Sequence, residues 1–228
     1  MKNDVAIIIP AYNPDENLNK LIKDLEENKY VKIIVINDGS EKTEIFKQIE
    51  ESVTILEHKK NQGKGRAIKT GINYCLENFN DIIGAITVDA DGQHLIEDVN
   101  KIYNALENNR NSIILGSRDF KSKQIPFRSK IGNIIFSKIL KRKTGIKISD
   151  TQTGLRGIPI KYLNDFKEIR GERFEYETNV ILNCIEKGIN IIEVRIQSIY
   201  INKNKSSHYR IIKDSIKICA STLGFKKY

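Results

Sequence analysis

Five short apolar runs, each ending in small and polar residues, constrain this chain more than anything else in it. Val5-Ala6-Ile7-Ile8-Ile9 is too short for a helix and reads as a buried parallel strand. Pro10-Ala11-Tyr12-Asn13-Pro14 is predicted to end it, and Asp15 to cap a helix carrying Leu18, Leu21, Ile22 and Leu25 at helical spacing. Val31 to Ile36 is a second strand, ending in Asn37-Asp38-Gly39-Ser40 and followed by a short helix. Val53 to Leu56 is a third. Asn61-Gln62-Gly63-Lys64-Gly65-Arg66 opens a helix holding Ala67, Ile68, Ile72 and Leu76. Ile82 to Val88 is a fourth strand, and a helix over about 96–108 leads to a fifth at Ser112 to Leu115, before Gly116-Ser117-Arg118. Regular alternation of strands and helices predicts an α/β fold: a mostly parallel central sheet flanked by helices.

The second half is less regular. The spacing predicts a helix over 127–140 with Phe127, Ile131, Ile134, Ile135 and Ile139 on one side, and another over about 209–223 with Ile212, Ile216, Cys219 and Leu223 aligned. Ile189 to Tyr200 alternates enough for one or two strands. The three cysteines, Cys75, Cys184 and Cys219, are too widely spaced for a metal site or a disulfide framework. They read as small buried apolar residues in a reducing cytoplasm.

Chemistry concentrates where strands end. Asp89-Ala90-Asp91-Gly92-Gln93-His94 follows the fourth apolar run. Two carboxylates one residue apart at the carboxyl end of a strand can hold a divalent cation, whose shell waters and substrate phosphates would complete. A polar turn is the competing reading. An EF-hand is excluded, because its sixth and twelfth positions would be His94 and Asn100. Gly63-Lys64-Gly65-Arg66 matches neither a dinucleotide fingerprint nor a P-loop, yet a basic glycine-rich loop at a helix start can attract phosphate. Asp38 can accept from the N–H edge of a nucleobase, or simply make a turn. Arg118 and Arg128 are candidate phosphate clamps, since guanidinium meets phosphate bidentately. Asp150-Thr151-Gln152-Thr153-Gly154-Leu155-Arg156 is unusually polar for a plain loop. Glu172, Glu175 and Glu177 read as a solvated face or as groups orienting basic residues; His94 is a metal neighbour or a structural histidine; His58 is given no role.

Charge is segregated. The whole chain carries a formal +9, and between Phe120 and Ser149 stand nine basic residues and no acidic one. The 201–228 stretch adds seven basic residues against Asp214. Such clustering points to a surface that meets anions: membrane lipid, a phosphorylated acceptor or nucleic acid. The acidic motif, and the absence of aromatics interleaved with the basic run, count against nucleic acid. No apolar run reaches the roughly 18 residues of a membrane span, and the start offers no signal peptide.

Taken in order, IIPAYNPDENL (8–18), VINDGS (35–40), NQGKGRAIKTG (61–71), DADGQH (89–94), GSRDF (116–120), PFRSKIGN (126–133), SDTQTGLRGIP (149–159) and RFEYE (173–177) resemble family 2 glycosyltransferases of the GT-A fold. The likeness is to the branch containing dolichol-phosphate mannosyltransferases and bacterial polyprenyl-phosphate glycosyltransferases. The resemblance implies one glycosyltransferase domain over 1–228, with about 1–119 binding nucleotide-sugar and about 120–228, with its basic and C-terminal helices, binding acceptor. It implies that Pro10, Tyr12, Asn13 and Asp38 line the base and ribose, and that Lys64 lies near the diphosphate. Asp89 and Asp91 would bind Mg²⁺ or Mn²⁺, with Gln93 beside them. Arg118 and Arg128 would grip the acceptor phosphate, and Asp150, Gln152 and Arg156 would shape the floor around sugar and acceptor. No Q-x-x-R-W motif of processive synthases is present, nor a Glu-Asp pair where hydroxyl-acceptor members place a base; Asp150 is the nearest candidate. A phosphate acceptor is already anionic and needs no such base, whereas a sugar hydroxyl does.

The expectation is therefore an inverting, metal-dependent transfer of a hexose from a UDP- or GDP-linked donor to a polyprenyl (dolichyl or undecaprenyl) phosphate, in cell envelope biosynthesis. The protein would be cytoplasmic and peripheral on the inner face of the membrane, with a separate membrane-embedded partner and no nucleic acid. The alternatives are transfer to a sugar hydroxyl in capsule or glycolipid synthesis, and a silent nucleotide-sugar-binding or nucleic-acid-binding protein.

Overall fold

The computed structural model describes residues 1–119 and 127–197, apart from the side chains of 127–132, 135 and 143. Along the chain, β1 (Lys2–Ala11) leads to α1 (Asn17–Glu27), β2 (Tyr30–Asn37), the short α2 (Glu44–Lys47) and β3 (Thr54–Glu57). Then come α3 (Lys64–Asn78), β4 (Gly84–Thr87), α4 (Ile96–Asn108), β5 (Ser112–Arg118) and α5 (Phe127–Thr144). The remainder is β6 (Arg156–Pro159), α6 (Ile160–Lys167), α7 (Glu175–Glu186) and β7 (Asn190–Ile196). The strands form a single sheet in the order β3-β2-β1-β4-β6-β5-β7. All neighbours are parallel except β6, which runs antiparallel to both β4 and β5.

Strand periodicity divides the core. Val5, Ile7 and Ile9 of β1 face one side and pack with Leu18 and Leu25 of α1, Phe46 of α2 and Val99 of α4. Ala6 and Ile8 face the other, with Ile68 and Ile72 of α3, Phe166 of α6 and Val180 of α7. Helices on both faces of a mostly parallel sheet are what the alternating runs predict. Cys75 and Cys184 are buried in the second layer, and burial pushes each thiol up to about 12. Cys219 and the expected 209–223 helix lie outside the described residues.

Two expectations are corrected. Pro10 does not end the first strand, since pairing continues through Pro10↔Ile36 and Ala11↔Asn37. Ile8 accepts from Val88 beyond the end of β4, and Ala11 accepts from Asp38 on the β2 side. Pro10, two residues after Ile8, faces the side where β4 has stopped, so its missing N–H removes no ladder bond. Among the described side chains of α5 the buried stripe is Asn133, Phe136, Leu140 and Thr144, while Ile134 is 39% exposed and Ile139 only half-buried; the side chains of Phe127, Ile131 and Ile135 lie outside the described residues. No helix among the described residues is long and apolar enough to cross a membrane.

Candidate functional site

Beyond β1 the chain turns one way to β2 and the other way to β4, and ligands of such sheets bind at this divergence, outside the strands' carboxyl ends. A pocket of about 350 Å³ opens there. Its walls include Pro10, Tyr12 and Asn13 after β1, Asp38 after β2, Lys64 at the start of α3, and Asp89 and Asp91 after β4. The structure thus brings together every residue expected around the nucleotide. The wall is completed by Arg173 and Phe174, just before α7.

The loops are tied to one another by side chains. Asn13, with φ 46°, donates its backbone N–H to Ser40 Oγ at 2.8 Å, and its own side-chain oxygen accepts from the Glu41 N–H at 2.9 Å. Asp38 is 2% exposed, and its carboxylate accepts from the backbone N–H groups of Gln62 (2.9 Å) and Gly63 (2.8 Å). His58 Nδ1 lies 2.7 Å from the same carboxylate, and its Nε2 lies 3.0 Å from Thr70 Oγ1. Asp38 therefore builds the wall by holding the 61–63 loop. His58, given no role from sequence, is the brace behind it; only the pairing of β2 with β3 brings the two together.

At the floor, Lys64 Nζ bridges Asp89 (2.6 Å) and Glu177 (2.9 Å). Burial disfavours the Lys64 charge, but the two carboxylates outweigh it and raise its pKa. Burial likewise opposes ionisation of Asp89, and the Lys64 ammonium overrides it, holding the carboxyl well below the usual range. Asp91 is raised, by burial first and then by the Asp89 charge. Gln93 donates to Asp91 through Nε2 (2.8 Å) and its backbone N–H (3.1 Å). His94 Nε2 stands 3.9 Å from Asp89 Oδ2, with a side chain only 6% exposed. A Cβ on Gly154 would come within 2.2 Å of Asp89 Oδ2, so this loop approaches the carboxylate as only glycine can. Thr87 Oγ1 donates to the Gly154 carbonyl at 2.7 Å and fastens the approach.

Two neighbouring carboxylates, one of them raised by the other's charge, mark a place short of positive charge, and hard oxygen donors suit Mg²⁺ or Mn²⁺. Among the described residues no group of three or more His, Cys, Asp or Glu side chains could hold an ion by itself. The donor set therefore fits a cation that shares its shell with water and substrate phosphate, and not a closed structural site.

The residues expected on the acceptor side divide. Asp150 is wholly buried and accepts two hydrogen bonds from the Arg118 guanidinium, at 2.6 Å and 3.0 Å. It is placed to orient Arg118 and not to take a proton from solvent-facing substrate. Arg156 is also buried, donating to the carbonyls of Thr153, Glu177 and Thr151 at 2.9, 2.7 and 3.3 Å; it braces the loop from beneath instead of facing a ligand. Asn133 of α5 accepts from the Thr151 N–H at 3.0 Å and fixes the loop from the side. Gln152 Nε2 is buried without a hydrogen-bond partner. Arg128 falls in the first turn of α5, its side chain outside the described residues. Glu175 and Glu177 are buried, so the acidic trio is no solvated face. Glu177 holds Lys64, while Glu172 pairs with Arg66 at 2.6 Å and Lys69 at 2.8 Å.

Comparison with known proteins bears on the family and the fold. A family model, glycosyl transferase family 2, matches residues 6–166. The UDP-N-acetylglucosamine–dolichyl-phosphate N-acetylglucosaminyltransferase of Methanococcus voltae is 31% identical over 219 residues, covering 86% of each chain. The dolichyl-phosphate beta-glucosyltransferase of Dictyostelium discoideum is 30% identical over 252 residues, 94% of this chain and 73% of that one. In fold, the chain is similar to glucosyl-3-phosphoglycerate synthase from Mycobacterium tuberculosis, solved with Mn²⁺, UDP and glucosyl-3-phosphoglycerate. The TM-score is 0.74 at 11% identity, over 97% of this chain and 79% of that one.

Proposed function

The chain belongs to glycosyl transferase family 2, and from that premise we propose that it moves a hexose from a UDP- or GDP-linked donor to a polyprenyl phosphate, inverting the anomeric carbon. The observation that carries the acceptor is the burial of Asp150. A sugar hydroxyl needs a carboxylate base. The nearest candidate for one is sealed against Arg118. A phosphate monoester is anionic already and needs only to be gripped and aimed. Dolichyl phosphate stands in the names of both relatives above, which supports the same reading.

In this scheme Pro10, Tyr12 and Asn13 receive the base and ribose, and Asp38 keeps the 61–63 loop in place beneath them. Asp89 and Asp91, the latter steadied by Gln93, would hold Mg²⁺ or Mn²⁺. When bound, that ion supplies positive charge against the departing nucleoside diphosphate. Lys64 reaches Asp89 and is held by Glu177. Arg118, set by Asp150, and Arg128 direct the acceptor phosphate at the sugar. Its oxygen attacks the anomeric carbon opposite the nucleotide, so an α-linked donor gives a β-linked product. Gln152 faces the sugar or acceptor, and Arg156 holds the floor in shape. In this scheme about 1–119 forms the donor half and about 120–228 the acceptor half, except that Arg173 and Phe174 of the second half line the donor pocket. The enzyme works at the inner membrane surface, as a peripheral protein.

The test is nucleotide release from a panel of UDP- and GDP-sugars with Mn²⁺, with and without a short polyprenyl phosphate. Release that requires both lipid and metal is the expected result. Release indifferent to the lipid phosphate overturns the acceptor assignment.

A further inference from the structure

Among the described residues, the donor pocket is short of cations. Its lining carboxylates are Asp15, Asp38, Asp89 and Asp91, and its cationic side chains are Lys64 and Arg173. Lys64 is already shared between Asp89 and Glu177. Arg173 has no acidic partner among the described residues, although Glu172, Glu175 and Glu177 are its near neighbours in sequence. Glu172 turns away to Arg66 and Lys69, and Glu177 to Lys64.

The backbone keeps Arg173 where it is. The Glu172 carbonyl accepts the Arg66 N–H of α3 at 3.0 Å, so the segment before α7 is docked on the first turn of α3 from both main chain and side chain. Gly63 has φ 106°, and a Cβ there would come within 2.6 Å of Arg173 Cγ and 2.4 Å of the Glu172 carbonyl. The arginine stem therefore lies across the glycine-rich loop at the helix start. Phe174 follows it, with its ring 5.9 Å from Lys64 Nζ.

We propose that Arg173 is a donor-binding residue: with its stem laid over Gly63 and no carboxylate partner among the described residues, its guanidinium engages the diphosphate of the nucleotide. This rests on the donor-site reading above. A guanidinium offers two parallel N–H groups to phosphate oxygens, and in a pocket rich in carboxylates it supplies the charge that Lys64 has committed elsewhere. Phosphate-free nucleoside would not sense it.

The test is equilibrium binding of UDP, GDP, uridine and guanosine to the intact protein with Mg²⁺, comparing the unaltered chain with Arg173→Met and Arg173→Lys. Met keeps the stem that covers Gly63 and removes the charge. The proposal expects Arg173→Met to weaken the preferred diphosphate on the order of 10- to 100-fold, to leave nucleoside binding unchanged, and to be partly rescued by Lys. Diphosphate affinity equal to the unaltered chain's overturns it. So does equal loss of nucleoside and diphosphate, which would mark Arg173 as structural. If the unaltered, folded chain binds neither diphosphate, the donor-site reading itself fails and this assignment fails with it.

Discussion

Arg118 donates two hydrogen bonds to Asp150, Nε to Oδ2 at 2.6 Å and Nη2 to Oδ1 at 3.0 Å. Asp150 also accepts from the Gln152 N–H at 3.2 Å, so one buried carboxylate sets both a side chain and the loop beside it. Breaking a buried pair leaves an uncompensated charge, at a cost of about 3 kcal/mol. Asp150→Ala is expected to lose about that much in urea unfolding and to raise the acceptor requirement. Arg118→Lys, which keeps the charge and loses the fork, should cost less stability while still impairing acceptor use. Normal acceptor kinetics in both variants would remove Arg118 from the acceptor site.

Gly154 offers a sharper test of the metal and diphosphate floor. An added methyl group would sit 2.2–2.5 Å from the three Asp89 carboxyl atoms. Gly154→Ala should displace that carboxylate and lower Mg²⁺-dependent UDP or GDP affinity at least about tenfold, the scale of losing one charge-assisted contact. Titration calorimetry with and without Mg²⁺ reads this directly. An affinity matching the unaltered chain's would show that Asp89 is not needed where it stands.

The buried thiols give the fold an alkaline limit. Cys75 and Cys184 move from an ordinary 9.0 to about 12 because burial opposes the thiolate. Their folded values are raised, so their contribution is complete below pH 9 and is lost as pH climbs from about 9 towards 12, where only the unfolded chain has ionised. Each thiol can contribute a slope of up to about 1.4 kcal/mol per pH unit in that window. Urea midpoints followed from pH 8 to 10 should fall, and fall less steeply in a Cys75→Ala, Cys184→Ala double variant. Parallel slopes would place the alkaline sensitivity in other groups.

The outer face of α5 is where contact with lipid is expected. Ile134, Lys138 and Lys141 follow one another at helical spacing on the side away from the buried stripe, Arg142 lies alongside, and Ile146 is 41% exposed just beyond the helix end. Basic residues at an anionic surface contribute about 1 kcal/mol each. The chain should float with anionic vesicles at low salt and not with neutral ones. Reversing Lys138, Lys141 and Arg142 to Glu should abolish flotation; retention of binding by that variant would move the membrane surface elsewhere.

How much of this could be read beforehand depended on how local the signal was. The strands and helices from β1 to β5 each carry their own period, and their ends supply the residues expected around the nucleotide; Arg173 and Phe174, which line the same pocket from before α7, were not among them. The strand β6 is four residues long and exists because β4 and β5 accept it from either side; nothing within Arg156–Pro159 announces a strand. For Ile134 and Ile139 the inward side of α5 was misread, because two of the four buried positions among its described side chains are polar. Asn133 is needed by Ser149 and Thr151, and Thr144 bonds back to the Leu140 carbonyl, so a search for apolar spacing settled on the neighbouring isoleucines. At the start of α7 the acidic residues left two readings open, a solvated face or groups orienting basic residues, and Glu177 follows the second. Burial of Glu177 makes sense only once Lys64, more than a hundred positions earlier, is beside it.

The reversed direction of β6 has a consequence for how the site is assembled. Its first residue, Arg156, pairs with Thr87, the last of β4. In a wholly parallel sheet each strand serves the ligand rim with the loop that leaves it. Here β6 serves the rim with the loop that enters it, and the 149–155 segment arrives against Asp89 from the opposite sense of chain travel. The loop after β4 and the loop before β6 are thereby hemmed along one common border, stitched by ladder bonds of the same sheet. If the two substrates meet as proposed, the groups that face them rise from the rim of a single sheet.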